Sequence, residues 1–335
     1  MQKDRRIDHE NLPLVTVVTV TFNLIRNNRK ETFLQSVESV HLQTYQNIEH
    51  IVIDGASNDG TADLLASCVR KYKRLRYISE PDRGIYDAMN KGIMHARGKY
   101  VVFLNSDDYW HDLHGVEWSV EALERSGAAF SYAPAKILDQ KKSCQWVVYP
   151  DLSSVFFSAS PFNHQTMFTR RDVLLREGMF DDSLLIMGDL DLILRLVIRK
   201  YDSVFVDRIF TTYRLSGMST ELIYEGDEEA AKVLYKYYNT ISVTDIDTCR
   251  RIRATKRLPL GILSHVHGCS IVQAYFLYEF LPAVRKNFSR ISLNIGFVIF
   301  SPKKFLKKYY TKILHSWLRQ PVRKVYYALR REKKI

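Results

Sequence analysis

Apolar residues arrive in short β-branched bursts separated by amphipathic stretches, and that rhythm repeats through the first hundred positions. LVTVVTVTFN (14–23) is long enough for one strand buried on both faces. Residues 29–42 (RKETFLQSVESVHL) set Phe33, Leu34, Val37, Val40 and His41 on one side at helical spacing, and IEHIVID (48–54) repeats the strand signature. Together they predict a βαβ unit. The turn DGASNDGT (54–61) leads into a helix over 61–73, a strand near 75–79, a helix over 85–96 and another apolar strand in YVVFLNSDD (100–108), which ends abruptly in acid. Strands alternating with helices predict a doubly wound, mostly parallel α/β sheet, whose ligands lie beyond the carboxyl ends of the strands. From 116 to 215 the pattern loosens into short strands within AFSYAPAKIL (129–138) and SVFVD (203–207) and a Leu/Ile-rich helix over 189–201, and 225–257 reads as helical.

Charge divides the chain more sharply than hydrophobicity does. The formal charge of +12 over 335 residues is uneven: residues 250–335 hold 20 Lys and Arg against only Glu279 and Glu332, so residues 1–249 are mildly acidic. Two regions are expected, a globular α/β domain over 1–249 and a basic, mainly helical extension over 250–335. A nucleic-acid enzyme would carry its positive charge around the active cleft, so no nucleic-acid partner is expected, and an anionic surface is the expected partner of the extension. A hydrophobic fraction of 46% excludes a wholly disordered chain. Cys68, Cys144, Cys249 and Cys269 form no CxxC pair and read as core thiols in a reducing compartment. The polar start MQKDRRIDHENLP lacks the apolar core of a signal peptide, which gives a cytoplasmic expectation.

The strongest chemical feature is Asn105-Ser106-Asp107-Asp108, two adjacent carboxylates at the end of an apolar strand. A hard divalent cation, Mg²⁺ or Mn²⁺, bridging phosphate oxygens would compensate them; the plainer alternative is a solvated strand-to-loop turn. Asp54 also ends a buried strand and Asp59 sits in the turn after it. Carboxylates at such ends can accept hydrogen bonds from a nucleobase or ribose, although Asp59 can equally bond its own turn. No GxGxxG follows the first strand and no GxxxxGK[ST] occurs, which argues against a dinucleotide oxidoreductase and a P-loop kinase.

VTVVTVTFN, VIDGASNDGT, EPDRGIYDAMNKGI (80–93) and GKYVVFLNSDD (98–108) resemble, in order and spacing, the family 2 inverting glycosyltransferases of GT-A fold, in particular the bacterial exopolysaccharide and lipopolysaccharide (colanic-acid type) members. The resemblance covers roughly residues 14–220. It implies that Thr21 and Asn23 line the nucleotide pocket, that Asp54 recognises the base, and that Ser106-Asp107-Asp108 is a DxD-type motif, with Asp108 the metal ligand and Asp107 nearer the ribose or donor sugar. Asp82, Arg83, Gly84, Asp87 and Asn90 match a stretch bordering the donor, and Arg83 either pairs with the donor or bonds Asp87 on the surface. Met187-Gly188-Asp189-Leu190-Asp191 falls where the family has its Glu-Asp pair, with Gly188 in place of the Glu, so Asp189 matches the general base and Asp191 is the alternative. Asn163-His164-Gln165 resembles an acceptor-side segment, and Arg214 with Gly217, Ser219 and Thr220 a loop that folds over the donor pyrophosphate. The absence of QxxRW implies one sugar per encounter.

The resemblance implies a metal-dependent glycosyltransferase of the hexosyl-transferring class, acting on a nucleoside-diphosphate sugar and a saccharide or lipid-linked saccharide. The alternatives are a non-catalytic membrane-bound partner subunit and a nucleotidyltransferase. Residues 259–278 carry no formal charge but hold two His, two Ser, Gln and Gly, which suits a membrane span poorly, and 303–334 alternates bases with Phe, Leu, Tyr and Trp. The expectation is a peripheral enzyme on the inner face of the plasma membrane, the alternative a helical extension packed on the catalytic domain.

Overall fold

The computed structural model describes residues 12–157, 160–215, 223–240 and 244–255. Strand β1 (Val15–Thr21), helix α1 (Lys30–His41) and strand β2 (Ile48–Asp54) form the expected βαβ unit, with β1 and β2 parallel and Thr21 in register with Asp54. Helix α2 (Thr61–Lys71) returns the chain to β3 (Leu75–Ser79), which pairs parallel with β2 so that Ser79 stands opposite Asp54. Helix α3 (Ile85–His95) leads to β4 (Tyr100–Phe103), parallel to β1 on its other side. Every residue of β2 is buried, and β1 is buried at all but one position, as strands covered on both faces must be.

Beyond β4 the chain is more broken than its pattern predicts. It continues through β5 (Tyr109–Trp110), α4 (Gly115–Ser126), β6 (Phe130–Tyr132), β7 (Ala135–Asp139) and β8 (Cys144–Val148). Two 3-10 turns (Leu152–Phe157 and His164–Thr166), β9 (Thr169–Arg170), α5 (Arg171–Arg176) and α6 (Gly188–Ile198) follow. The described chain closes with β10 (Ser203–Phe205), β11 (Thr211–Arg214), α7 (Ile223–Tyr238) and α8 (Ile246–Thr255). A seven-stranded sheet in the order β10-β6-β9-β4-β1-β2-β3 is parallel except at β9, and a four-stranded sheet runs β5-β11-β7-β8.

Four details depart from the sequence pattern. The acid-ended strand stops at Phe103 rather than running to 108, because the Asn105 amide donates to the side chain of Gln165 instead of to a neighbouring strand. AFSYAPAKIL divides between β6 in the large sheet and β7 in the small one, and α4 forms with Val116, Val120 and Leu123 fully buried against Val15, Val17 and Val102. Cys68 and Cys249 are buried thiols as expected, but Cys144 lies exposed on β8 and is no core residue. Helix α8 runs unbroken across residue 250, with Cys249 and Ile252 buried on one face; Cys269 and the rest of the basic extension lie outside the described residues.

Candidate active site

Three clusters of polar side chains gather at the carboxyl ends of β1, β2 and β4 and at the start of α6. At the end of β2, Asp54 is fully buried. Its Oδ1 accepts from Thr21 Oγ1 at 3.1 Å and Ser57 Oγ at 2.6 Å, and its Oδ2 from the Ser57 amide at 2.9 Å and Ser79 Oγ at 2.7 Å. The parallel register sets Thr21 and Ser79 on either side of Asp54, so three strand ends and one turn close on a single carboxylate. Asn23 stands beside it at φ 49°, its amide donating to Ser57 Oγ and its Oδ1 accepting from the Asn58 amide. Asp59, one residue before the N-cap of α2, accepts from Thr61 Oγ1 at 2.6 Å and the Thr61 amide at 3.1 Å, and its Oδ2 takes the Arg26 amide at 2.7 Å. Those bonds, led by the Arg26 amide, outweigh desolvation and hold its carboxyl down at about 2. Asp59 thus takes the local-turn alternative.

The end of β4 is less well supplied. Asp108 is fully buried, its Oδ2 accepting from Gln165 Nε2 at 2.5 Å and its Oδ1 from the Arg214 amide at 2.6 Å. Burial and then the charge of Asp107 push its carboxyl up to about 8 despite both bonds. Burial also raises Asp107, against the attraction of Arg29, whose Nη1 lies 3.6 Å from Asp107 Oδ2. Arg214 donates through Nη1 to the Asp107 carbonyl and through Nη2 to Gln35 Oε1, and its guanidinium lies 4.7 Å from the centroid of the Tyr109 ring. β11 therefore delivers one arginine whose main chain serves Asp108 and whose side chain serves Asp107.

Asp189 lies in the first turn of α6. Its Oδ1 accepts from the Leu190 amide at 2.8 Å, and its Oδ2 is 3.4 Å from His164 Nδ1. The buried Nε2 of His164 meets no hydrogen-bond partner among the described residues. Tyr86 supports the turn from below, its hydroxyl accepting from the Asp189 amide at 3.4 Å. A Cβ at position 188 would lie 2.8 Å from the Tyr86 ring, so the glycine there lets the ring seat against the main chain. Asp191 faces elsewhere: fully buried, it accepts from Arg195 Nη2 at 2.8 Å, Lys236 Nζ at 2.9 Å and Tyr237 Oη at 2.8 Å. Asp191, the alternative to Asp189 in the sequence, ties α6 to α7 through these contacts.

The 3-10 turn 164–166 joins two of these clusters. His164 reaches Asp189 while the next residue, Gln165, reaches Asp108 and fixes Asn105 through its Oε1 at 2.8 Å. The turn is held by Asn163 Oδ1, which accepts from the Gln165 amide, and by Thr166 Oγ1, which donates to the Ala133 carbonyl. The α3 flank is more self-contained. Arg83 takes its surface alternative, donating to Asp87 at 3.0 Å and pairing with Asp182, while the Gly84 amide donates to Asp82. Asn90 donates to the Phe180 carbonyl and accepts from the Phe180 amide, so both ends of its amide are engaged in packing. No local sequence signal marks Arg29, Gln35 or Tyr109; Tyr86 lies in the helix beside Asp87 and Asn90, but only folding sets it under Gly188. Gly217, Ser219 and Thr220 lie outside the described residues.

A family model described as Glycosyl transferase family 2 matches residues 16–177. An uncharacterized glycosyltransferase of Mycobacterium tuberculosis is 41% identical over 116 residues, which make up 34% of this chain and 42% of that relative. The Escherichia coli UDP-Glc:alpha-D-GlcNAc-diphosphoundecaprenol beta-1,3-glucosyltransferase WfaP is 33% identical over 125 residues, 36% of this chain and 46% of its own length. The chain thus spans less than half the length of either relative. The mannosyltransferase PcManGT of Pyrobaculum calidifontis, solved with GDP-Man and Mn²⁺, superposes with a TM-score of 0.55 over 83% of this chain and 81% of that one, at 17% identity. That likeness is one of fold, a GT-A arrangement.

Proposed function

We propose, from the family 2 glycosyltransferase domain that residues 16–177 carry, that this protein transfers one sugar from a nucleoside-diphosphate sugar to a saccharide hydroxyl with inversion at the anomeric carbon. The observation that carries the reading is the 3-10 turn whose adjacent residues, His164 and Gln165, touch Asp189 and Asp108. Two acids far apart in sequence thereby share one support, as a displacement that removes a proton on one side and expels an anion on the other requires.

Asp107 and Asp108 fit a divalent cation. Their oxygens are hard donors, and against two adjacent buried carboxylates the protein sets only the Gln165 and Arg214 donors on Asp108 and Arg29 at 3.6 Å from Asp107 Oδ2. Mg²⁺ or Mn²⁺ held by these two carboxylates would complete its shell with phosphate and water; among the described residues no three His, Cys, Asp or Glu side chains gather into a metal cage. When bound, such an ion would offset the negative charge that grows on the departing nucleoside diphosphate. Gln165 and the Arg214 amide orient Asp108, and Arg29 with Arg214 adds positive charge on the same side. Asp189 takes the proton of the acceptor hydroxyl, its carboxylate steadied by the Leu190 amide and His164. Thr21, Asn23 and Asp54 form the polar floor beneath the nucleoside, and His164 with its unpartnered Nε2 borders the acceptor.

The acceptor we propose is a lipid-linked saccharide in bacterial surface polysaccharide synthesis; WfaP, whose printed acceptor is a diphosphoundecaprenol-linked sugar, supports that class. The basic extension would hold the enzyme on the inner face of the plasma membrane through anionic lipid. The test is release of nucleoside diphosphate from a panel of UDP-, GDP- and dTDP-sugars with Mn²⁺ or Mg²⁺ and membrane extract as acceptor source. Metal-dependent turnover of one donor, lost in Asp108→Ala and Asp189→Asn, is expected. No turnover of any donor would leave the non-catalytic partner subunit as the better reading.

A further inference from the structure

The first turn of α6 carries Asp189, whose Oδ1 takes the Leu190 amide, while Met187 at the N-cap makes no side-chain hydrogen bond. An acceptor for the segment leading into it comes from α7, more than thirty residues later in the chain. Glu229 Oε1 accepts from the Leu185 amide at 2.5 Å, and its Oε2 from the Ile186 amide at 2.9 Å and the Met187 amide at 3.1 Å. One carboxylate thus gathers the three successive amides before the helix, where unpaired N–H groups and the helix dipole both favour negative charge. Two further contacts hold α7 to the same place. Gly226 lies so close to the loop that a Cβ there would be 2.7 Å from Ile186 Cδ1 and 2.8 Å from Met187 Cε. Farther along α7, Lys236 Nζ and Tyr237 Oη hold Asp191 Oδ1 at 2.9 Å and 2.8 Å.

The geometry points to Glu229 as a positioning residue for Asp189 and to α7 as the brace that sets where α6 begins. The inference rests on the reading of Asp189 as the general base. Glu229 acts through the main chain of 185–187, and both α7 and Asp189 lie beyond residues 16–177, so this brace is not part of the matched family domain. The chain from β11 to α7 therefore serves both acids: Arg214 at its start bonds Asp107 and Asp108, and Glu229 fixes the approach to Asp189. A general base must sit within hydrogen-bond reach of the hydroxyl it deprotonates, and a displacement of about 1 Å is enough to cost roughly 100-fold in rate.

Glu229→Gln in the full chain is the test. Gln keeps the length of the side chain but turns one acceptor into a donor facing an N–H. The expected result is a kcat at least tenfold lower with the donor KM within twofold of wild type, and hydrogen exchange at the amides of 185–187 at least tenfold faster. Unchanged kcat and unchanged exchange overturn the proposal, as does a fall in kcat matched by a rise in donor KM. Asp189→Asn is measured alongside: if it keeps its kcat, the general-base reading fails, whereas lost transfer in Asp189→Asn with full activity in Glu229→Gln rejects the brace alone. Should Glu229→Gln not fold, Lys236→Gln, which releases the far end of α7, is expected to lower kcat about threefold at constant KM, and a wild-type kcat there rejects the brace.

Discussion

Two neighbouring regions of one sheet, the end of β2 and the end of β4, each bury an aspartate completely, and they treat it in opposite ways. Asp54 receives four hydrogen bonds from Thr21, Ser57 and Ser79. Asp108 receives two, stands beside a second carboxylate and is pushed up to about 8. A strand of apolar residues ending in Asp is therefore not one signal. Where small hydroxyl side chains lie in register the protein satisfies the charge itself, and where a second acid follows directly it supplies fewer donors than the two charges need.

The comparison breaks most visibly through activity. Asp108→Asn is expected to lower metal-dependent transfer by about 10³-fold while leaving stability within about 1 kcal/mol, because it removes an uncompensated charge; steady-state kinetics with a urea melt read both. Asp54→Ala should do the reverse to stability, costing about 4 kcal/mol as four donors lose their acceptor, measured by the same melt. Asp191→Asn sharpens the contrast at α6: a loss of about 3 kcal/mol is expected from the Arg195–Asp191–Lys236 network, with kcat in the folded fraction lowered only about threefold, as for Lys236→Gln, whereas Asp189→Asn abolishes transfer. Loading with Mn²⁺ should raise the thermal midpoint of the wild type by a few degrees and that of Asp108→Asn by less than one, read by differential scanning fluorimetry.

One further effect bounds the pH range in which the others are measured. Burial, followed by the mutual repulsion of the two rings, pushes His50 down to about 3, and burial followed by the charge of Arg74 pushes His41 to about 4. Both are neutral in the folded chain and take a proton more readily when unfolded, so their contribution is fully present above pH 6.5 and is lost as pH falls toward 4. A loss of about 2 kcal/mol between pH 6.5 and 4.5 is expected, and His50→Gln should flatten that slope; an equally steep slope in the variant would assign the acid sensitivity elsewhere.

Much of this was legible before folding. The β1-α1-β2-α2-β3-α3-β4 series follows from β-branched runs separated by helical periodicity, since strands buried on both faces leave a continuous apolar signature. Helix α4 and the split between β6 and β7 were not legible, because three- to five-residue strands carry little periodicity and their sheet is chosen by distant partners. Among the site residues, Asp108 and Asp189 stood out by motif resemblance, whereas Arg29, Gln35 and Tyr109 carry no local signal: a lone Arg or Tyr on an amphipathic segment looks the same whether it faces solvent or a carboxylate.

From the residue pattern come the order of strands and helices, the acids that end them, and a resemblance to family 2 glycosyltransferases. Folding assigns which acid is spent on the fold and which stays available. It separated Asp191, held by three donors, from Asp189, held by Leu190 and His164. It also brought Gln165, Arg214 and Glu229 to their targets from tens of residues away. The physical reason is that burial and hydrogen-bond supply set the cost of a charge, and both depend on neighbours that the chain acquires only by folding.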